Sequence, residues 1–213
     1  MSTSTTPNTP TAHVAVFDGF VDSEVGHLLV ELRSGRFTGT PYTVLTVAER
    51  PGPVTTMGGL RLTPDLLLSE LDPDASDLLV LCGGEMWDAG GGDAFADAAA
   101  RFLEAGVPVA AICGATAGLA RAGLLDDRAH TSSHPTYLAA TGYAGAAGYV
   151  HERAALDGDL ITAGPQSPVQ FARAALTRLG LLSPERLAAY EALFHDSDDA
   201  AVPTLMGATP AAA

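Results

Sequence analysis

The chain holds 213 residues, with 25 Asp+Glu against 11 Lys+Arg for a formal charge of −14, and 47% of its residues are apolar. That is ample for one domain with a sizeable core and too apolar for a disordered chain, while the negative charge argues against nucleic acid or an anionic membrane surface as a partner. Two cysteines, Cys82 and Cys113, make no disulfide framework, so a reducing compartment is expected.

The first eleven residues, MSTSTTPNTPT, have neither a basic start nor an apolar run, and are expected to be a disordered tail rather than a signal peptide. Residues 12–195 are expected to form a single domain, and 196–213 a low-complexity C-terminal tail. No uninterrupted apolar stretch is long enough to span a bilayer, which makes a soluble, cytoplasmic protein the expectation.

Within the domain, HVAVF at 13–17 predicts a short strand that stops at the turn signal Asp18-Gly19. Val21, Val25, Leu28, Leu29 and Leu32 recur at helical spacing and predict a helix over 21–33. A second strand is predicted at 42–47, and a hairpin or irregular crossing at 54–62 around Gly58-Gly59. The continuous apolar runs at 77–82 and 107–112 predict buried strands, with a helix over 93–105 between them that ends at Gly106. Cys113-Gly114 then opens a helix predicted over 115–122. Beyond it come a short strand at 130–132, a helix near 135–141, and a hairpin of 149–154 with 159–163 about Asp157-Gly158. Two helices follow, at 167–179 and 183–194, the second opened by Ser183-Pro184 as cap and first residue. Strands alternating with helices predict an α/β three-layer sandwich, with a mostly parallel sheet covered by helices on both faces.

Ligands of such sheets bind outside the carboxyl ends of the strands, where two features fall. One is Leu81-Cys82-Gly83-Gly84-Glu85, whose paired glycines free backbone N–H groups. The other is AAICGATAG over 110–118, a strand–Cys–helix junction with small flanking residues. This second pattern matches a nucleophile elbow, in which a sharp turn exposes the thiol and the helix start lowers its pKa. The N–H groups of Gly83, Gly84 and Gly114 would lie beside the reacting atom as oxyanion donors. A cysteine with small neighbours is also a common buried apolar residue, so the spacing alone leaves both readings open. Asp18, Trp87 (with Met86) and Thr116 are candidates for the pocket lining, core packing being the other reading for Met86 and Trp87. The Gly90-Gly91-Gly92 run lacks the Lys-Ser/Thr of a phosphate loop, and no Cys/His set has zinc-ligand spacing, so neither a cofactor nor a metal is expected.

Four stretches in order, VAVFDGFVDSEVGHLLVEL, DLLVLCGGEMW, VPVAAICGATAGLARAGLLDDRAHTSSHP and YVHERAALDGDLITAGPQSPVQFARAAL, resemble the ThiJ/PfpI family, of the flavodoxin-like, class I glutamine amidotransferase-like fold. The resemblance covers most of residues 13–180. It implies a reactive cysteine at Cys113 and a protonated carboxyl, five residues after Gly19, that donates a hydrogen bond to the sulfur and so lowers the thiol pKa: this is Glu24. It also implies a candidate proton shuttle at His134, in TSSHP twenty-one residues after Cys113. Three departures narrow the chemistry. Gly114 stands where proteolytic branches carry His, His151-Glu152 is adjacent rather than spaced as in amidotransferases, and Cys82 replaces the usual Pro. For Cys82, a regulatory pairing with Cys113 and an inert buried thiol both remain open.

The resemblance therefore implies a cofactor-free cysteine enzyme acting on a small electrophile by glyoxalase, isonitrile hydratase or hydrolase chemistry. It also implies a homodimer. Two other readings compete: a redox-sensing stress protein whose Cys113 is oxidised, and a non-catalytic ligand-binding module.

Overall fold

In the computed structural model, which describes residues 9–207, a parallel sheet begins with β1 (Thr11–Ala15) and β2 (Thr43–Ala48), separated by helix α1 (Asp22–Ser34). Most of the N-terminal tail predicted at 1–11 lies outside the described residues, although Thr11 already pairs in β1. A small antiparallel hairpin, β3 (Val54–Thr55) and β4 (Arg61–Leu62), stands apart, and β5 (Leu66–Leu67) returns to the sheet edge beside β2. The centre is made by β6 (Leu78–Leu81) and β7 (Val109–Ile112), every residue of which is buried. A strand without an exposed alternate position must be covered on both faces, as their unbroken apolar sequences require.

Between them lie α2 (Glu85–Asp88) and α3 (Asp93–Glu104), and after β7 come α4 (Gly114–Arg121) and α5 (Pro135–Ala139). The hairpin β8 (Ala154–Asp157) and β9 (Leu160–Ala163) closes the sheet, followed by α6 (Pro168–Arg178), α7 (Pro184–Phe194) and α8 (Val202–Leu205). The sheet order is β5-β2-β1-β6-β7-β9-β8, parallel throughout except for the β8–β9 pair. The helices form two packed sets, α1 with α6 and α7, and α2 and α5 with α3 around α4. The predicted strand at 130–132 is only an isolated bridge, His130 to Tyr149: the His130 N–H and carbonyl pair with Gly148 O and Val150 N–H, but the next N–H, that of Thr131, donates to Thr162 Oγ1 instead of continuing a ladder.

The C-terminal segment departs from its predicted tail character up to residue 207. Leu205 is fully buried, and Arg186 donates to both Leu205 O and Phe37 O, so residues 199–205 fold back as a short helical turn and α8. One apolar residue and one long-range guanidinium outweigh the low complexity of the sequence around them.

This topology sets the position of the site. The chain leaves β1 toward β2 on one side, whereas β6 lies on the other, so the β1/β6 boundary is a switch point, with a crevice at the carboxyl ends of the strands. The loop before α1, the turn after β6 and the turn after β7 all open there. Val21 N–H donates to Gly83 O (3.0 Å) and Phe20 bridges Gly84, which locks the first two turns together.

Candidate active site

Cys113 ends β7 with φ 57° and ψ −125°. It is one of two non-glycine residues with positive φ among the described residues, and this conformation costs about 1–3 kcal/mol. Bonds on both sides hold it: its N–H donates to Ala163 O (3.0 Å), while its carbonyl accepts from Thr116 N–H (3.1 Å) and Thr116 Oγ1 (2.6 Å). The sequence permits the turn because the residues behind it are small. A Cβ on Gly118 would lie 2.2 Å from Trp87 Cζ3, so α4 approaches the indole only as glycine. The result is the predicted elbow, with a half-buried thiol at the start of α4.

Glu24 reaches this thiol from the first turn of α1 and is buried. Gly83 N–H donates to its Oε2 (2.9 Å), and the thiol and the carboxyl are hydrogen-bond partners. Gly83 sits where they converge: an added Cβ would be 2.5 Å from Glu24 Oε2, 2.7 Å from Cys113 Cβ and 3.0 Å from Sγ.

Burial raises the Glu24 pKa, opposed by the bonds from Cys113 and Gly83. The Cys113 thiol is pushed up to about 12, first by burial, then by the charge and hydrogen bond of Glu24; the Gly114 N–H works the other way. The sequence expectation of a lowered thiol pKa is thus corrected. One backbone donor at a helix start does not offset desolvation plus an adjacent carboxylate. Burial thus disfavours the charged form of both partners, and each carries its raised pKa in the presence of the other.

This has a consequence for stability. A carboxyl with a folded pKa above its ordinary 4.5 is protonated more readily in the native than in the unfolded chain. The stability gained from the neutral form is complete below about 4.5 and is lost as pH rises through the raised pKa. Glu24→Gln, neutral at every pH, is therefore expected to melt above wild type by a margin that widens from pH 4.5 upward. Thermal unfolding across pH 4–8 checks this, and a margin that shrinks with pH contradicts it.

The other predicted residues divide. Gly84 N–H has no partner among the described residues, and Gly114 N–H points at the sulfur, so both suit an oxyanion. Gly83 does not, because its N–H is committed to Glu24. Thr116 is buried and braces the elbow, its Oγ1 also lying 2.6 Å from Ser132 Oγ. Trp87 is a core residue rather than a pocket wall: it is fully buried, stacks edge-on to Phe17, and donates from Nε1 to Cys82 O (2.8 Å). Asp18 ties its loop to the β3–β4 hairpin by accepting from Thr55 N–H (2.8 Å); with Met86 it lines a cavity of about 280 Å3 that does not include Cys113.

His134 is exposed and serves as N-cap of α5, its Nδ1 bonded to Thr136 N–H (3.2 Å) and Oγ1 (2.8 Å); no hydrogen bond joins it to Cys113 among the described residues. Cys82 is buried with a raised pKa, and both cysteines are free thiols. Among the described residues no group of three or more His, Cys, Asp or Glu could hold a metal ion, and no helix is long and apolar enough to cross a membrane.

Sequence reasoning missed Asp88 and Tyr137. The Tyr137 hydroxyl donates to Asp88 Oδ1 (2.6 Å), bridging α5 to α2, and Asp88 adds to the negative field at Cys113. No local signal joins two residues 49 positions apart.

Known proteins share this fold and much of this sequence. A model of the DJ-1/PfpI family matches residues 10–178. The uncharacterized protease YoaZ of Bacillus subtilis is 35% identical over 180 residues, covering 82% of this chain and 86% of its own. A thiJ/pfpI family protein from Bacillus anthracis superposes with a TM-score of 0.87 at 34% identity, over 96% of this chain and 100% of that one. A DJ-1 superfamily protein from Agrobacterium tumefaciens gives 0.79 at 33% identity, over 88% and 99%.

Proposed function

This chain belongs to the DJ-1/PfpI family, and we propose that it is a cysteine-dependent enzyme acting on a small electrophile. The observation that carries the reading is the Cys113–Glu24 pair on the strained elbow, a nucleophile bonded to a buried carboxylate whose raised pKa makes it a better base near neutrality. As Cys113 Sγ bonds to the electrophilic carbon, its S–H bond breaks and the proton passes to Glu24. With a carbonyl substrate the electron pair of the C=O bond moves to oxygen, which the N–H groups of Gly84 and Gly114 would stabilise, and Glu24 then returns the proton to that oxygen; with an isonitrile the proton is returned to the attacked carbon, giving a thioimidate. One carboxyl thus serves as base and acid in turn.

The curated relatives YoaZ and YdeA are named proteases, and the same pair can protonate an amine leaving group. The test is a substrate panel of methylglyoxal, an isonitrile, an aryl ester and a short peptide amide, read by turnover and by intact mass of the quenched enzyme. An adduct mapping to Cys113 with one class of substrate is the expected result. Turnover without any dependence on Cys113 overturns the proposal.

A further inference from the structure

The two residues that bridge α2 and α5 stand beside the elbow. α2 starts directly after Gly84, and its backbone runs against the residue that follows the nucleophile. An added Cβ on Gly114 would lie 3.2 Å from both Gly84 O and Trp87 Cβ. Trp87 turns its indole into the core, whereas the next residue, Asp88, is exposed. The Tyr137 hydroxyl of α5 donates to Asp88 Oδ1 (2.6 Å), which fixes one oxygen of the carboxylate and leaves the other for a ligand. Both residues lie within electrostatic reach of Cys113: the charge of Asp88 acts on the thiol, and the charge of the thiolate acts on Tyr137.

The charged side chains that act on the sulfur are of one sign. They are Glu24 and Asp88, with no cation beside them among the described residues. Arg121, whose charge reaches Tyr137, is held away by the Trp87 and Gly91 carbonyls, to which it donates at 3.1 and 2.9 Å. Glu24 is buried and committed to the thiol and to Gly83 N–H, so Asp88 is the charge an incoming molecule meets. We propose that Asp88, positioned by Tyr137, selects substrates by charge, so that the electrophile carries a cationic group, an ammonium or guanidinium, close to its reacting carbon. A positive group there pairs with Asp88 while the carbon meets Sγ; a carboxylate in the same place is repelled. The assignment rests on Cys113 being the nucleophile. It narrows the class of small electrophiles to cationic ones first, neutral ones next and anionic ones last.

The test uses the full chain and three methanethiosulfonates of similar size, whose ethyl groups end in trimethylammonium, hydroxyl or sulfonate. Each transfers its alkylthio group to the Cys113 thiolate as a disulfide and releases methanesulfinate. Peptide mass assigns the adduct to Cys113 rather than Cys82. Rates are divided by those with free 2-mercaptoethanol, which removes the reagents' own differences. The cation-to-anion ratio is independent of how much of the thiol is ionised, because all three reagents meet one sulfur. Wild type is expected to rank cationic above neutral above anionic. Asp88→Asn should shrink the cation-to-anion ratio about fivefold, the scale of an exposed charge pair. Tyr137→Phe, which frees the carboxylate, should shrink it less, and an unmoved ratio there contradicts the positioning role. Asp74→Asn, at the amino-terminal end of β6 and so at the far end of the sheet, reports the general pull of a chain of charge −14 and should leave the ratio in place. A wild-type ratio near one, a ratio unmoved by Asp88→Asn, or an equal fall in Asp74→Asn overturns the proposal. A Cys113 that none of the reagents modifies contradicts the nucleophile instead. Amide NMR shifts at Asp88 and Tyr137 then decide the charge preference: they are expected with choline and not with isethionate, and equal shifts with the two overturn it.

Discussion

Turnover is expected to fall about 10²–10⁴-fold in Glu24→Gln, the scale of a lost general base, and to background in Cys113→Ser. The Glu24 variant should show a second, opposite effect. Burial and the charge and hydrogen bond of Glu24 together hold the thiol at about 12. Removing that charge leaves burial as the main cause, so the pH midpoint of Cys113 alkylation by iodoacetamide is expected to move down. A thiol that ionises more easily and an enzyme that turns over less is the combination expected of a proton-accepting carboxylate. Were Glu24 instead a protonated donor to a resident thiolate, its loss would move the midpoint up. That outcome would reverse the assignment of the charge within the pair. Alkylation rates against pH in the two proteins, beside turnover at neutral pH, decide it.

Trp87→Ala is expected to cost about 3–5 kcal/mol, enough to lower the melting temperature by roughly 6–20 °C. The indole has no exposed surface, packs against Phe17 and Phe95, and bonds Cys82 O through Nε1. Truncation empties the contacts with Gly92, Gly114 and Gly118 and leaves a buried carbonyl without its donor. Because Gly114 and Gly118 rest on this ring, the start of α4 loses its support and the elbow should become less reactive at temperatures where the fold persists. Trp87→Phe, which fills most of the volume but donates no hydrogen bond, should recover part of the stability. Urea denaturation of the three proteins gives the comparison; a loss below about 1 kcal/mol for the alanine variant would mean that the ring is not a core element.

Much of the architecture was legible in local pattern. Unbroken apolar runs marked β6 and β7, helical spacing marked α1, and small residues around Cys113 marked the elbow. These features survive because each depends on a few neighbouring residues and on the period of the backbone. The resemblance brought Glu24 into view, and the structure brings its carboxyl to the thiol. Gly83 shows the limit of such reading: paired glycines promised free donors, yet one N–H is spent on a carboxylate 59 residues away.

By itself, then, the sequence determined the α/β class, the order of the elements and the place of a strained cysteine after a central strand, since these follow from periodicity and local sterics. Only the tertiary structure decided which groups surround that cysteine. It set the direction of the thiol pKa, the burial of Trp87, the capping role of His134 and the return of Leu205 to the core. Desolvation, charge pairing and hydrogen-bond partnership are properties of residues far apart in the chain, and they acquire a value only when the sheet brings those residues within a few ångströms.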